Sequence, residues 1–459
     1  METENKSIQH RQRIDESTSF FHKGLSQQGN FLTIYIFLVL FGPKIGRYID
    51  TSVITNLISL LIILKYKKNI VFSRKYFSYV LIVIFILIYL FSLMLLNGTF
   101  LIVQLGRYLR TIISIISIWG VVVSTNQNNE TVIYSLIKVL SIHAALVLFT
   151  SLSIDAQETL AIFTGFEKKI RLFRSTGLMI GFDMSGLLCI VGYVISFTYP
   201  EIYKKRHRVK IMMLLFIIAT IFTSRFSILS LIIIIVLLII KNRKNVYKKF
   251  EVRLGLVFSI ITLIPASILF IVTTTYSAKF YSLFTERFPY SMSIVNRFVS
   301  SYANTDIENT ILNHFDFTKL DLISILLGAA ENANQDPGYT IIIYSIGVVG
   351  LLLSVVWYFK IFIDTTRINK IFIENRIANE EMKHIQFTIY IMVYLTFMLS
   401  FKNNYFFTGT YFEILIIYIT LSNKEYKEMR ESDETKSWIF DNQGRTIFSN
   451  REDPSNRLT

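Results

Sequence analysis

Apolar runs of about 17–22 residues recur along the chain, each ended by a short polar or basic break. A helix of that length rises far enough to cross a hydrocarbon core about 30 Å thick. The pattern predicts an all-α, polytopic membrane protein. Its twelve spans are expected near 28–46, 50–64, 77–96, 99–124, 131–152, 176–197, 208–224, 225–241, 254–273, 338–359, 385–401 and 405–421. Residues 1–27 then form an N-terminal tail, 28–421 a transmembrane domain and 422–459 a C-terminal tail. The last is charged and without apolar periodicity, so it is expected to be unstructured. No cleavable leader is expected, because the first apolar run follows a polar, charged stretch as an anchor.

The net charge of +15 raises the question of nucleic acid, and its distribution answers it. Basic residues gather in short clusters between alternate apolar runs: Lys65, Lys67 and Lys68; Lys204 to Arg208; Lys241 to Lys249; the Arg367–Lys383 loop; and both tails. These segments and their immediate flanks hold roughly 32 of the 47 Lys and Arg residues, the bias expected of cytoplasmic loops. Both termini are therefore placed in the cytoplasm, and no nucleic-acid partner is expected. One cysteine, Cys189, excludes a disulfide framework or a Cys-based metal site. There is no P-loop, no H-E-x-x-H and no G-x-S-x-G, so no metal and no cofactor is expected.

Residues 211–240 form the one ambiguous run. Both flanks are basic and belong on one side, so a hairpin turning at Ser224–Arg225 is preferred to a single long helix. Each arm then rises only about 22–26 Å, which leaves the tip recessed and holds Arg225 inside the membrane boundary. The segment 274–337 is the long polar stretch, an extracytoplasmic loop between spans nine and ten, where a protein of this shape does its chemistry.

Several arginines lie on the side the charge bias disfavours: Arg107, Arg110, Arg171, Arg174 and Arg225. Each alone reads as a snorkelling anchor. Together, with Arg225 at a buried tip, they read as a site for phosphate or pyrophosphate, which a planar guanidinium suits. In the loop, Asp336 before Pro337 has the form of a helix N-cap and could equally serve as general base toward a hydroxyl; Glu331 and His314 are alternative bases. Tyr339 and His314 are candidate sugar contacts, and Tyr339 is alternatively a member of the interfacial aromatic belt. Gly177 and Gly181 permit close helix packing, Asp183 has the place of an arginine's partner, and His143 and Lys138 read as packing or interfacial residues.

Phe173-Arg174-Ser-Thr176-Gly177 through Gly181-Phe-Asp183 to Gly186 resembles the opening of a middle span in the O-antigen polymerase and ligase superfamily. Thr223-Ser224-Arg225-Phe-Ser227 is similar to its Ser-Arg turn between two short spans. Leu326-Leu327-Gly328, Asp336-Pro-Gly-Tyr339 and Gly347-Val-Val-Gly350 resemble the end of its large loop and the helix that follows. Twelve spans with that loop before span ten fit the polymerase (Wzy) branch. There are departures: Phe182-Asp183 stands where the family often has Pro-Asn, and Asp336-Pro337 where the ligases carry His-Asn.

The resemblance implies a metal-independent membrane glycosyltransferase of the bacterial cell inner membrane. It would join undecaprenyl-pyrophosphate-linked oligosaccharides into O-antigen or capsule polysaccharide on the membrane's outer face. Arg174, Arg225 and Arg171 would hold the pyrophosphate, and Asp336 would act with Arg225 in catalysis. Donor and acceptor lipid-linked oligosaccharides are the expected partners, with a chain-length regulator and a flippase beside them. A repeat-unit flippase or transporter and an O-antigen ligase are the rival readings.

Overall fold

A computed structural model describes residues 30–45, 49–66, 74–125, 127–165, 170–171, 173–199, 206–241, 320–331, 338–374, 380–400, 406–407 and 409–442. The expected span at 254–273 and most of the polar loop, with His314 and Asp336, lie outside these residues.

The described chain is almost wholly helical. After α1 (Asn30–Phe41) a two-residue antiparallel pair, Lys44–Ile45 with Ile49–Asp50, turns the chain into α2 (Thr51–Tyr66). Next come α3 (Arg74–Asn97), α4 (Ile102–Ser124), α5 (Asn129–Ser151) and the short α6 (Ile154–Thr164). Then follow α7 (Phe182–Thr198), α8 (Arg206–Ile221), α9 (Arg225–Lys241) and the six-residue α10 (Leu322–Leu327). The chain closes with α11 (Gly338–Glu374), α12 (Glu380–Leu399) and α13 (Gly409–Asn442). Among the described residues, four helices are long and apolar enough to cross a membrane, within α3, α4, α5 and α11; shorter apolar helices lie in α1, α2, α7 and α9. Large apolar side chains such as Phe85, Leu96, Leu352 and Phe359 face outward on these helices.

Hydrogen bonds show how the helices run. Thr410 Oγ1 at the start of α13 donates to the Leu40 carbonyl at the end of α1 (2.8 Å), and Gly338 N–H at the start of α11 to the Ser400 carbonyl just past α12 (3.0 Å). Phe173 N–H reaches the Ser151 carbonyl that ends α5, and Ser175 N–H the Phe222 carbonyl beyond α8. At the opposite end Lys424 Nζ meets the Gln127 carbonyl (2.7 Å), Asn129 meets Glu425, and Tyr199 meets Glu130. The ends of α1, α5, α8 and α12 therefore share one end of the bundle with the starts of α7, α11 and α13.

Within a mainly aliphatic core lies an aromatic cluster. Trp357 on α11 packs against Tyr79, Tyr358, Phe407 and Phe412, and its indole N–H donates to the Tyr79 carbonyl (3.1 Å). Helices α7 and α8 lie close because Gly192 faces Phe216: a Cβ there would sit 2.5 Å from the ring.

Three elements depart from the sequence expectation. Helix α7 begins at Phe182, not 176, because Gly177 takes φ +50° and the preceding segment makes a loop. Helix α13 runs on to Asn442, where an unstructured tail is expected from Ser422. The segment Asn423–Glu431 is rich in Lys, Glu, Met and Arg, which favour helix without an apolar stripe, and Lys424 and Glu425 are tied to the α4–α5 junction. Helix α11 breaks at Gly347 (φ +65°, ψ −174°).

Candidate functional site

Two segments far apart in sequence meet at the end of the bundle that carries the α8–α9 turn. The turn forms as the sequence predicts: Ser224 caps α9, its Oγ accepting from Ser227 N–H (3.1 Å) and lying 2.8 Å from Ser227 Oγ. Arg225 is then the first residue of α9 and is half-buried. A cation at a helix N-terminus faces the positive end of the dipole.

The loop before α7 docks on this turn. Arg174 Nε donates to the Thr223 carbonyl (3.0 Å), and the guanidinium lies 4.5 Å from the centre of the Phe182 ring. The loop is held from behind by α5. Ser175 Oγ is 2.5 Å from Thr150 Oγ1, and Leu178 N–H donates to His143 Nδ1 (3.3 Å). With Nδ1 accepting, the proton of the neutral ring is on Nε2, which faces Ser185 Oγ at 3.1 Å. His143, stacked on Phe41, is thus a buried support, as the sequence reading has it. Lys138 lies over the Tyr134 ring, also a packing arrangement.

Arg171 and Arg174 form an antiparallel bridge across Phe173, which takes φ +60°. Gln157 of α6 fixes this bend by bonding both the Arg171 carbonyl (2.8 Å) and its N–H (3.2 Å). Arg171 is exposed and Arg174 half-buried. The structure therefore places the Arg174 segment against the Thr223–Arg225 turn, with Arg171 on the same bend. Asp183 lies half-buried in the first turn of α7.

Arg110 has a different place. Its Nη1 is 2.9 Å from Asp50 and its Nη2 3.1 Å from Glu413, a side chain 1% exposed. Ser114 also donates to Glu413, and Asn56, Ser117 and Tyr35 extend the network into α1 and α2. Two carboxylates already neutralise Arg110, which takes it out of the anion-binding group. Arg107 is half-buried on the same helix, its Nη1 without a hydrogen bond.

Tyr339 is engaged inside the bundle: its hydroxyl donates to the Phe397 carbonyl (2.8 Å) and its ring meets Phe406 edge-on. Glu331 is exposed at the end of the α10 segment, its N–H on the Tyr344 carbonyl (3.3 Å).

No family model, curated protein or solved structure matches the chain.

Sequence reasoning missed Glu413, Asp50 and Gln157. Glu413 carries its own signal, a lone carboxylate in the apolar run Tyr411–Leu421, and an ionisable residue in such a run has a buried partner by default. Gln157 sits on α6, a helix too short to show in the apolar pattern.

Proposed function

We propose that this chain is a metal-independent glycosyltransferase that polymerises lipid-pyrophosphate-linked oligosaccharide repeat units on the outer face of a bacterial cell membrane. The supporting observation is the docking of the Arg174 loop on the Thr223–Arg225 turn, through Arg174 Nε on the Thr223 carbonyl and Ser175 N–H on the Phe222 carbonyl. Two arginines and a helix N-terminus gathered at one end of an apolar bundle suit an anionic lipid headgroup.

On this reading the chain has twelve spans, both termini in the cytoplasm and the 274–337 loop outside. Nucleotide sugars are absent there, so the donor is activated by its own lipid pyrophosphate. A hydroxyl of the incoming lipid-linked unit attacks C1 of the growing glycan, the C1–O bond to pyrophosphate breaks, and the acceptor proton passes to a base. Asp336 is the candidate base. Arg174 and Arg225, with Arg171 beside them, stabilise the charge that develops on the departing pyrophosphate. Fixed donors of this kind are worth about 10²–10³-fold in rate each.

The test is the surface glycan of a deletion strain complemented with Arg225→Ala or Arg174→Ala. Single repeat units, with the protein inserted at normal level, are expected; long glycans in both variants would overturn the assignment. A deletion strain with almost no surface glycan would point to a flippase, and one with untransferred polymer to a ligase.

A further inference from the structure

The polar loop ends in a segment with an apolar face. Helix α10 turns Leu322, Ile323, Leu326 and Leu327 outward, each between 45% and 73% exposed. Its backbone, by contrast, is tied into the protein. Asp321 caps the start, its carboxylate accepting from Ser324 N–H (3.0 Å). The Leu327 carbonyl accepts from Tyr89 Oη (2.6 Å), and Ala329 and Glu331 N–H both reach the Tyr344 carbonyl, which the break at Gly347 leaves open. Gly328 and Gly347 touch backbone to backbone: a Cβ on Gly347 would lie 2.4 Å from Gly328 N.

These anchors fix the depth of the segment. Tyr89 lies eight residues before the end of α3 at Asn97, about 12 Å down the helix. Gly347 lies nine residues into α11 from Gly338, about 13 Å from the end marked by the Gly338–Ser400 hydrogen bond. Two helices thus give the same depth. At that level their own outward side chains are apolar: Phe85 and Ile88 on α3, Val349 and Leu352 on α11. Hydrocarbon is the environment that takes exposed leucines while requiring backbone groups to be satisfied by protein.

We infer that residues 321–331 form a re-entrant segment. The segment lays the apolar face of α10 against lipid acyl chains and packs its backbone on the break in α11. This does not depend on the transferase reading; a dipping segment would be found in a transporter as well.

Spin labels at Ile323→Cys and Leu326→Cys, in protein reconstituted into phosphatidylcholine vesicles, test it. Cys189 is fully buried, and the unlabelled parent corrects for it. Collisions with oxygen are expected to exceed those with a water-soluble nickel chelate, as for a label at Phe85→Cys on α3. A label at His207→Cys, exposed at the other end of the bundle, gives the aqueous reference. Nickel access at Ile323 and Leu326 equal to that at His207 would overturn the inference. Leu322→Cys and Leu327→Cys give the same reading should either first variant fail to fold. Tyr89→Phe, which removes the anchor on Leu327, is expected to raise nickel access at Leu326.

Discussion

The ion-paired cluster around Arg110 allows a sharp test of the packing at the site's end of the bundle. Glu413→Leu removes a carboxylate that is 1% exposed and leaves Arg110 with Asp50 alone. Breaking a buried pair from one side costs about 3–5 kcal/mol, chiefly because the remaining charge keeps its burial and loses its partner. Arg110 retains Asp50 at 2.9 Å and is 25% exposed, so the lower end, about 3 kcal/mol, is expected. Arg110→Leu is the harsher change. It strands Glu413 with only Ser114 donating to it, and the upper end, about 5 kcal/mol, is expected. The double variant leaves no deeply buried charge unpaired and should be less destabilised than Arg110→Leu alone, a coupling of at least about 3 kcal/mol. Unfolding in detergent micelles titrated with sodium dodecyl sulfate, followed by tryptophan emission, measures all three. If the two single effects add to within about 0.5 kcal/mol, the residues do not meet as described and the reasoning fails.

Other perturbations test the site and its supports. Gly186→Ala places a Cβ 2.1 Å from Ser227 Oγ and 2.5 Å from Thr223 Oγ1, so α7 must move from the turn; on the proposed polymerase reading, polymer formation should fall at least tenfold with the protein still inserted, about the effect of 1.4 kcal/mol at the transition state. Ser224→Ala removes the α9 cap and should cost about 1 kcal/mol in the same detergent titration. Gly347→Ala demands both a left-handed φ and space already taken by Gly328 and Leu326, so folded yield by size-exclusion chromatography should drop sharply; a normal yield would argue against the α10–α11 contact. Tyr339→Phe removes only the hydrogen bond to Phe397 and should cost about 1 kcal/mol of stability while leaving glycan length unchanged.

The long apolar helices among the described residues were legible because hydrophobic run length is a local property. The Ser224–Arg225 turn could be read as well, since basic flanks at both ends of 211–240 required the chain to come back. Charge on the disfavoured side also grouped Arg174 with Arg225, although 49 residues separate Arg174 from the Thr223 carbonyl it bonds. What could not be read depends on long-range contact. Arg110 looks like its neighbours on α4 until α13 brings Glu413 across, 303 residues away. The break in α11 needs Gly328 to arrive against Gly347; the sequence shows only two glycines. The extension of α13 was hidden for another reason: charged helix-formers without an apolar stripe look like a solvated tail until Gln127 and Asn129 supply partners.

The described residues of helices α8 and α9, 16 and 17 in number, rise about 24 and 26 Å, several ångströms less than an average hydrocarbon core. On the proposed topology, lipid around that hairpin would shorten to match it, at fractions of a kcal/mol for each ångström. The bilayer would then carry a dimple over Arg225, with phosphate headgroups sinking toward the guanidinium instead of the guanidinium reaching up. A thicker membrane would deepen the dimple and a thinner one erase it, so acyl-chain length alone should tune how readily a lipid phosphate reaches this turn.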